Sequence, residues 1–198
     1  CSSDLVAWQL VPEEMRAWHA GASGWRGRTN LNDTSVGIEL ENKGYSKHLL
    51  GKKFYPFPPA QIDLLANLSR EIVARYQIEP RNVVAHSDIA PQRKDDPGPL
   101  FPWQEMAQRG IGAWPDAGIV QARLAGRDPQ QPVDQAQLLA LLKQYGYTVT
   151  DDMTQAQQRR VIAAFQMHFR QSDYRGNADA QTQAIVQALL QQFPDKND

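Results

Sequence analysis

Between Val83 and Trp103 the chain reads V-V-A-H-S-D-I-A-P-Q-R-K-D-D-P-G-P-L-F-P-W. Its four prolines (Pro91, Pro97, Pro99 and Pro102) forbid any long helix or central strand across the segment. An apolar run, Val83 to Ala85, reads as a buried strand ending at His86. A stiff loop follows, with Lys94 eight residues and Asp96 ten residues after the histidine. Imidazole and carboxylate are both good zinc ligands, and a hydrolytic zinc site needs three protein donors and one open position. Spacing alone leaves two readings of His86 open: a structural residue at a strand end, or a ligand facing Asp96 across the loop.

Upstream, Val36-Gly37-Ile38-Glu39-Leu40-Glu41-Asn42 alternates apolar and polar residues and predicts a strand. Its polar face is either solvated or lines a cleft, in which case Glu39 is placed as a general base. Lys94 is likewise either a surface lysine or a stabiliser of a developing oxyanion. Residues 4–11 read as a further strand, 17–32 as a structured loop and 43–59 as a Lys/Gly/Pro/aromatic loop. Pro59 opens a helix whose apolar face carries Ile62, Leu65, Leu68, Ile72, Val73 and Tyr76. A shorter helix runs from Trp103 to Arg109 and stops at Gly110.

Strands interleaved with helices predict an α/β fold, a mixed β-sheet flanked by helices. Residues 115–133 look irregular and contain R-D-P-Q-Q-P. A first domain over 1–126, a linker over 127–133 and a second domain over 134–198 follow from that break. The second domain is wholly helical. Leu138 to Tyr145, Val161 to Phe169 and Ile185 to Leu190 form three amphipathic faces of a small bundle.

Twenty-one basic against 22 acidic residues leave no field for a polyanion, which argues against nucleic acid as a partner. No apolar run reaches membrane-spanning length. The only cysteine, Cys1, excludes an internal disulfide. Followed by Ser2, Ser3 and Asp4, it reads either as the lipidated first residue of a bacterial lipoprotein or as an accident of where the sequence is cut. His48 and His168 read as structural or surface residues.

Taken together, W-H-A-G (18–21), L-N-D-T-S-V-G-I-E-L-E-N (31–42) and V-V-A-H-S-D-I-A-P-Q-R-K-D-D-P-G-P (83–99) resemble the zinc-dependent N-acetylmuramoyl-L-alanine amidases. This superfamily includes the peptidoglycan recognition proteins, and the likeness is strongest to the outer-membrane lipoprotein members of enteric bacteria. The resemblance implies that His86 and Asp96 are zinc ligands, Glu39 the acid/base residue and Lys94 the transition-state stabiliser. It places His19 and Asn32 at the substrate. It also makes 1–126 the catalytic domain, and likens the tail, with G-N-A-D-A-Q-T at 176–182, to small peptidoglycan-binding three-helix domains.

The implied substrate is peptidoglycan or its muropeptides, cleaved between the lactyl group of N-acetylmuramic acid and L-alanine. The implied location is the bacterial cell envelope, in the periplasm or on the outer membrane. Membrane contact is expected only through a lipid on Cys1, and the chain is expected to be a monomer. One departure stands out. The family's first zinc ligand is a histidine in an apolar-apolar-His-Tyr strand, and no histidine precedes His19 here. The opening strand and one ligand are therefore expected to be missing, unless Cys1 or His19 substitutes. A muropeptide-binding protein without catalysis is the alternative reading, and a surviving structural fragment is a third.

Overall fold

The computed structural model describes residues 5–49 and 51–194. Residues 5–23 form neither helix nor strand. A two-residue hairpin follows, in which β1 (Gly24–Trp25) pairs antiparallel with β2 (Arg28–Thr29). Its turn residues Arg26 and Gly27 both have positive φ, 48° and 75°, the backbone that the twist of a two-residue hairpin demands. A 3-10 turn over Leu31–Asp33 leads out of it. A second hairpin pairs β3 (Tyr45–His48) with β4 (Gly51–Phe54). Then come α1 (Pro59–Tyr76), a 3-10 turn at Pro80–Asn82, the single-turn α2 (His86–Ile89) and α3 (Trp103–Gln108). The chain finishes with α4 (Ala117–Leu124), α5 (Gln135–Tyr145), α6 (Gln155–Phe169) and α7 (Ala180–Gln192).

The last four helices each begin at a side-chain cap. Asp116, Asp134, Thr154 and Asp179 accept the N–H of Ile119, Gln137, Gln157 and Thr182 respectively. Such caps satisfy amide groups that the first turn leaves without partners. None of the described helices is long and apolar enough to cross a membrane.

Two apolar clusters hold the molecule. One is built on Ile62, Leu65 and Ala66 of α1 with Ala85, Phe101, Trp103, Met106 and Ile111. The larger joins the four C-terminal helices to Ala20, Trp25 and Leu31 from the first third of the chain. Trp25 is the hinge of that joint: its ring meets Tyr147 edge-on at 5.1 Å, and its Nε1 donates to the Arg81 carbonyl at 3.1 Å. Arg81, itself buried, donates to the carbonyls of Tyr145 (2.8 Å) and Gln144 (3.1 Å) at the end of α5.

Several sequence expectations are corrected at the level of elements. Residues 36–42 are not paired into a strand; of the apolar face expected there, Ile38 is 40% exposed while Leu40 packs on the α1 cluster. No neighbouring strand among the described residues offers them a ladder, and alternation without a partner makes no sheet. The same holds for residues 5–11, whose expected first residue, Asp4, lies outside the described set. It holds also for Val83 to Ala85, so His86 opens a helical turn rather than closing a strand. Conversely, the expected loop at 43–59 contains the β3–β4 hairpin, and the expected irregular stretch at 115–133 contains α4. Tyr76, placed on the apolar face of α1, is 48% exposed. Among the described residues the β content is thus two small antiparallel sheets beside seven α-helices, still of the α/β class.

Candidate active site

α2 and the loop after it bring His86 and Asp96 together. The Ser87 N–H donates to the Asp96 carbonyl at 3.0 Å, which ties the two ends of the eleven-residue segment directly. His86 Nδ1 then lies 3.0 Å from Asp96 Oδ2. On its other side, His86 Nε2 faces the Ala20 carbonyl at 3.2 Å. The Arg93 guanidinium faces the same nitrogen at 3.3 Å. With the ring proton on Nε2, Nδ1 presents a lone pair to the carboxylate; with it on Nδ1, the ring donates to Asp96 and Nε2 accepts from Arg93. Two acceptors this close require a proton or a cation between them. Where a proton fills the gap, the donated hydrogen bond from His86 holds the Asp96 carboxyl below its usual range, with a smaller contribution from the Lys94 charge. A metal would satisfy the same two lone pairs, and an imidazole whose far nitrogen is anchored on a backbone carbonyl is the usual support of a metal-binding histidine.

Arg93 completes the anchorage. Its guanidinium donates to the carbonyls of Ala20 and, through Nε at 3.0 Å, Ala22. It lies over Gly21, where a Cβ would come within 2.8 Å of Nη2. The W-H-A-G loop is therefore fastened to the proline-rich segment by a fork that a lysine could not reproduce. Arg93 sits inside the Q-R-K-D-D run, yet only its contacts distinguish it from its charged neighbours.

Asn32 is buried, and its Oδ1 accepts the N–H groups of His19 (3.0 Å) and Ala20 (2.7 Å). It thereby sets the loop whose Ala20 carbonyl holds His86. The His19 ring covers Gly37, where a Cβ would fall 2.4 Å from Nδ1, and its Nε2 faces the Ser35 carbonyl at 3.3 Å. That contact lays the 35–37 strip against the W-H-A-G loop, two residues before Glu39, which is exposed. Lys94 is half-buried, and its backbone N–H donates to Ala90. Of the residues singled out in the sequence, the structure thus joins His86 with Asp96 and His19 with Asn32. It shows no contact of the Glu39 carboxylate with the His86–Asp96 pair. Among the described residues no third His, Cys, Asp or Glu completes a metal group, and Cys1 lies outside them.

The loop is also gripped from the hairpin side. Lys52 of β4 pairs with Asp95, and the Phe54 ring sits where a Cβ on Gly98 would be, at 2.6 Å. Only glycine at position 98, with φ of 82°, permits that approach.

An imidazole and a carboxylate thus meet on one loop, on an α/β scaffold packed against a helical bundle. Comparison with known proteins gives the family. A profile described as N-acetylmuramoyl-L-alanine amidase matches residues 2–99. The chain is 66% identical to the N-acetylmuramoyl-L-alanine amidase AmiD of Escherichia coli over 186 residues, 94% of this chain and 67% of that protein. It is 44% identical over 98 residues to the 1,6-anhydro-N-acetylmuramyl-L-alanine amidase AmpD of Enterobacter cloacae, half of this chain and 48% of that protein. In structure it superposes on E. coli AmiD, solved with anhydro-N-acetylmuramic acid-L-Ala-D-γ-Glu-L-Lys, with a TM-score of 0.93 over 94% of this chain and 72% of that one. Against AmpDh3 of Pseudomonas aeruginosa the TM-score is 0.87 at 43% identity, covering 95% and 74%. The chain belongs to the N-acetylmuramoyl-L-alanine amidases, enzymes that act on peptidoglycan.

Proposed function

We propose that the chain hydrolyses the bond between the lactyl group of N-acetylmuramic acid and L-alanine with a zinc ion held in part by His86 and Asp96. The observation that carries this is the 3.0 Å approach of His86 Nδ1 to Asp96 Oδ2, with His86 Nε2 held between the Ala20 carbonyl and the Arg93 guanidinium. A bound zinc ion supplies an activated water and polarises the scissile carbonyl. Glu39, exposed and free to reach the substrate, receives the proton of the attacking water and delivers it to the leaving nitrogen. The C–N bond breaks, and the nitrogen departs as the free amino group of L-alanine. The Lys94 ammonium stabilises the oxyanion of the tetrahedral intermediate. His19 and Asn32 shape the substrate-facing side of the cleft.

In this reading residues 134–198 form a peptidoglycan-binding module joined through 127–133. A groove of about 810 Å³ supports it, lined by Pro132, Gln155, Arg159, Arg175 and Asn177 among others. Amides and guanidinium groups there suit the hydroxyls and carboxylates of a glycopeptide. Holding an insoluble polymer beside the cleft raises the effective substrate concentration. The site of action is the cell envelope, at the outer membrane if Cys1 carries lipid.

The test is mass spectrometry of anhydro-N-acetylmuramyl-tripeptide incubated with the chain. Release of free tripeptide together with anhydro-N-acetylmuramic acid supports the proposal. Retention of intact ligand by the protein, with no cleavage at any zinc concentration, would instead establish the non-catalytic muropeptide binder.

A further inference from the structure

The segment that carries both proposed metal donors is held in place largely from the helical region. Asp88, in the same turn as His86, is 1% exposed, and its carboxylate gathers three donors. The Ala85 N–H lies 2.7 Å from Oδ2, His168 Nδ1 lies 2.7 Å from the same oxygen, and the Tyr147 hydroxyl lies 2.5 Å from Oδ1. The first of these fixes where α2 begins, one residue before His86. The other two come from beyond α5 and from α6, at sequence separations of 59 and 80. His168 is itself held between the Trp103 ring, 3.8 Å away, and the Phe169 ring, 3.9 Å away. Burial and the adjacent Asp88 charge push the Tyr147 phenol far above its ordinary range, so it remains an O–H donor.

The loop between the two donors is fastened from the same side. Arg160 Nη1 donates to the Gln92 carbonyl at 2.6 Å, and Gln92 Nε2 donates to the Gln157 carbonyl at 3.0 Å. Beyond Asp96, Gln171 Nε2 donates to the Phe101 carbonyl at 2.6 Å. Contacts from α6 and its flanks therefore hold the segment at Asp88, Gln92 and Phe101, on both sides of Asp96. Wall binding alone does not require contacts to the turn that bears His86, so these contacts add a second role to the same region.

We propose that Tyr147 and His168 are positioning residues of the catalytic site: acting through Asp88, they set His86 against Asp96 and make the helical region part of the catalytic scaffold. This rests on the metal-site reading of His86 and Asp96, but its physical content, a hydrogen-bonded clamp on α2, is separable from the metal.

Three variants of the full chain test it. Tyr147→Phe deletes a single hydroxyl, His168→Leu deletes the ring donor, and His168→Asn retains an amide N–H able to donate where Nδ1 does. Two quantities are read for each: hydrogen–deuterium exchange of backbone amides 84–97, and Zn²⁺ affinity by competition with a chromophoric chelator. Tyr147→Phe and His168→Leu are expected to accelerate exchange in 84–97 while leaving 135–145 unchanged, and to weaken Zn²⁺ binding about tenfold, the effect typical of losing a residue that supports a metal ligand. His168→Asn should return both within about threefold of wild type, as the retained donor requires. Exchange that rises evenly along the chain, or rises in 84–97 with Zn²⁺ affinity untouched, would overturn the proposal. If the wild-type chain takes up no Zn²⁺, the metal reading fails instead, and local exchange with its rescue by Asn still decides whether the clamp exists.

Discussion

Glu39, the proposed acid/base residue, and Asp173 differ in what surrounds their carboxylates. Glu39 is exposed, so its replacement leaves packing intact. Glu39→Ala is predicted to lower the hydrolysis rate by a factor of about 10² to 10⁴, the usual contribution of a general acid–base group, with an unchanged melting temperature. Liberated L-alanine amino termini and a thermal melt on one sample check both halves. Asp173 instead stabilises the fold. The hydrogen bond from Arg175, with Arg170 nearby, lowers its carboxyl to about 2. A depressed carboxylate contributes its stability above the unfolded value near 4 and loses it as pH falls toward 2. Asp173→Asn should therefore cost about 1 to 2 kcal/mol at pH 7, after discounting for partial solvent exposure, and almost nothing at pH 2. Urea melts at the two pH values measure the difference. An equal loss at both would show that the ion pair is not its cause.

The elements differ in the same way, in what their ends rest on. Thr154 caps α6 at an exposed terminus, in a reciprocal pair with Gln157. Asp179 caps α7 where it is buried, and it also receives Arg170 Nη1 at 2.5 Å, with Arg170 itself 5% exposed. Thr154→Ala should cost about 1 kcal/mol as a lost cap. Asp179→Ala should cost about 3 kcal/mol, since it also removes the nearer of the two carboxylates that face buried Arg170, leaving Asp173 and Thr182. Denaturant midpoints of the two variants order them directly, and equal losses would refute the distinction. These helices are legible in the sequence because cap and apolar period agree, as at Asp134 followed by Leu138, Leu139 and Leu142. Helix α4 is not, being eight residues long with Gly118 in its first turn. The β3–β4 hairpin escapes notice because Y-S-K-H and G-K-K-F bury almost nothing and so leave no alternation to read. At 36–42 the alternation is present without a neighbouring strand, which only coordinates reveal. The His86–Asp96 pair was readable because both residues share one stiff loop. Asp88 with His168 was not, because no spacing rule links side chains 80 residues apart.

At the scale of the molecule, the larger core crosses the sequence break near 127–133. It joins Ala20, Trp25 and Leu31 to α4 through α7, while Arg81 bonds the end of α5. A bundle docked this closely carries the loop that holds His86 and Asp96, so hydrolysis and helical packing are predicted to fail together on heating. The central claim is that a metal at this pair drives cleavage of the muramoyl–L-alanine bond. Its most direct measurement is the appearance of new L-alanine amino termini in purified peptidoglycan digested by the chain, before chelation, after chelation and after zinc is restored. The account predicts release, then its loss, then its recovery, with no recovery in an Asp96→Asn variant. Release that continues undiminished in chelator, or in Asp96→Asn, would contradict it.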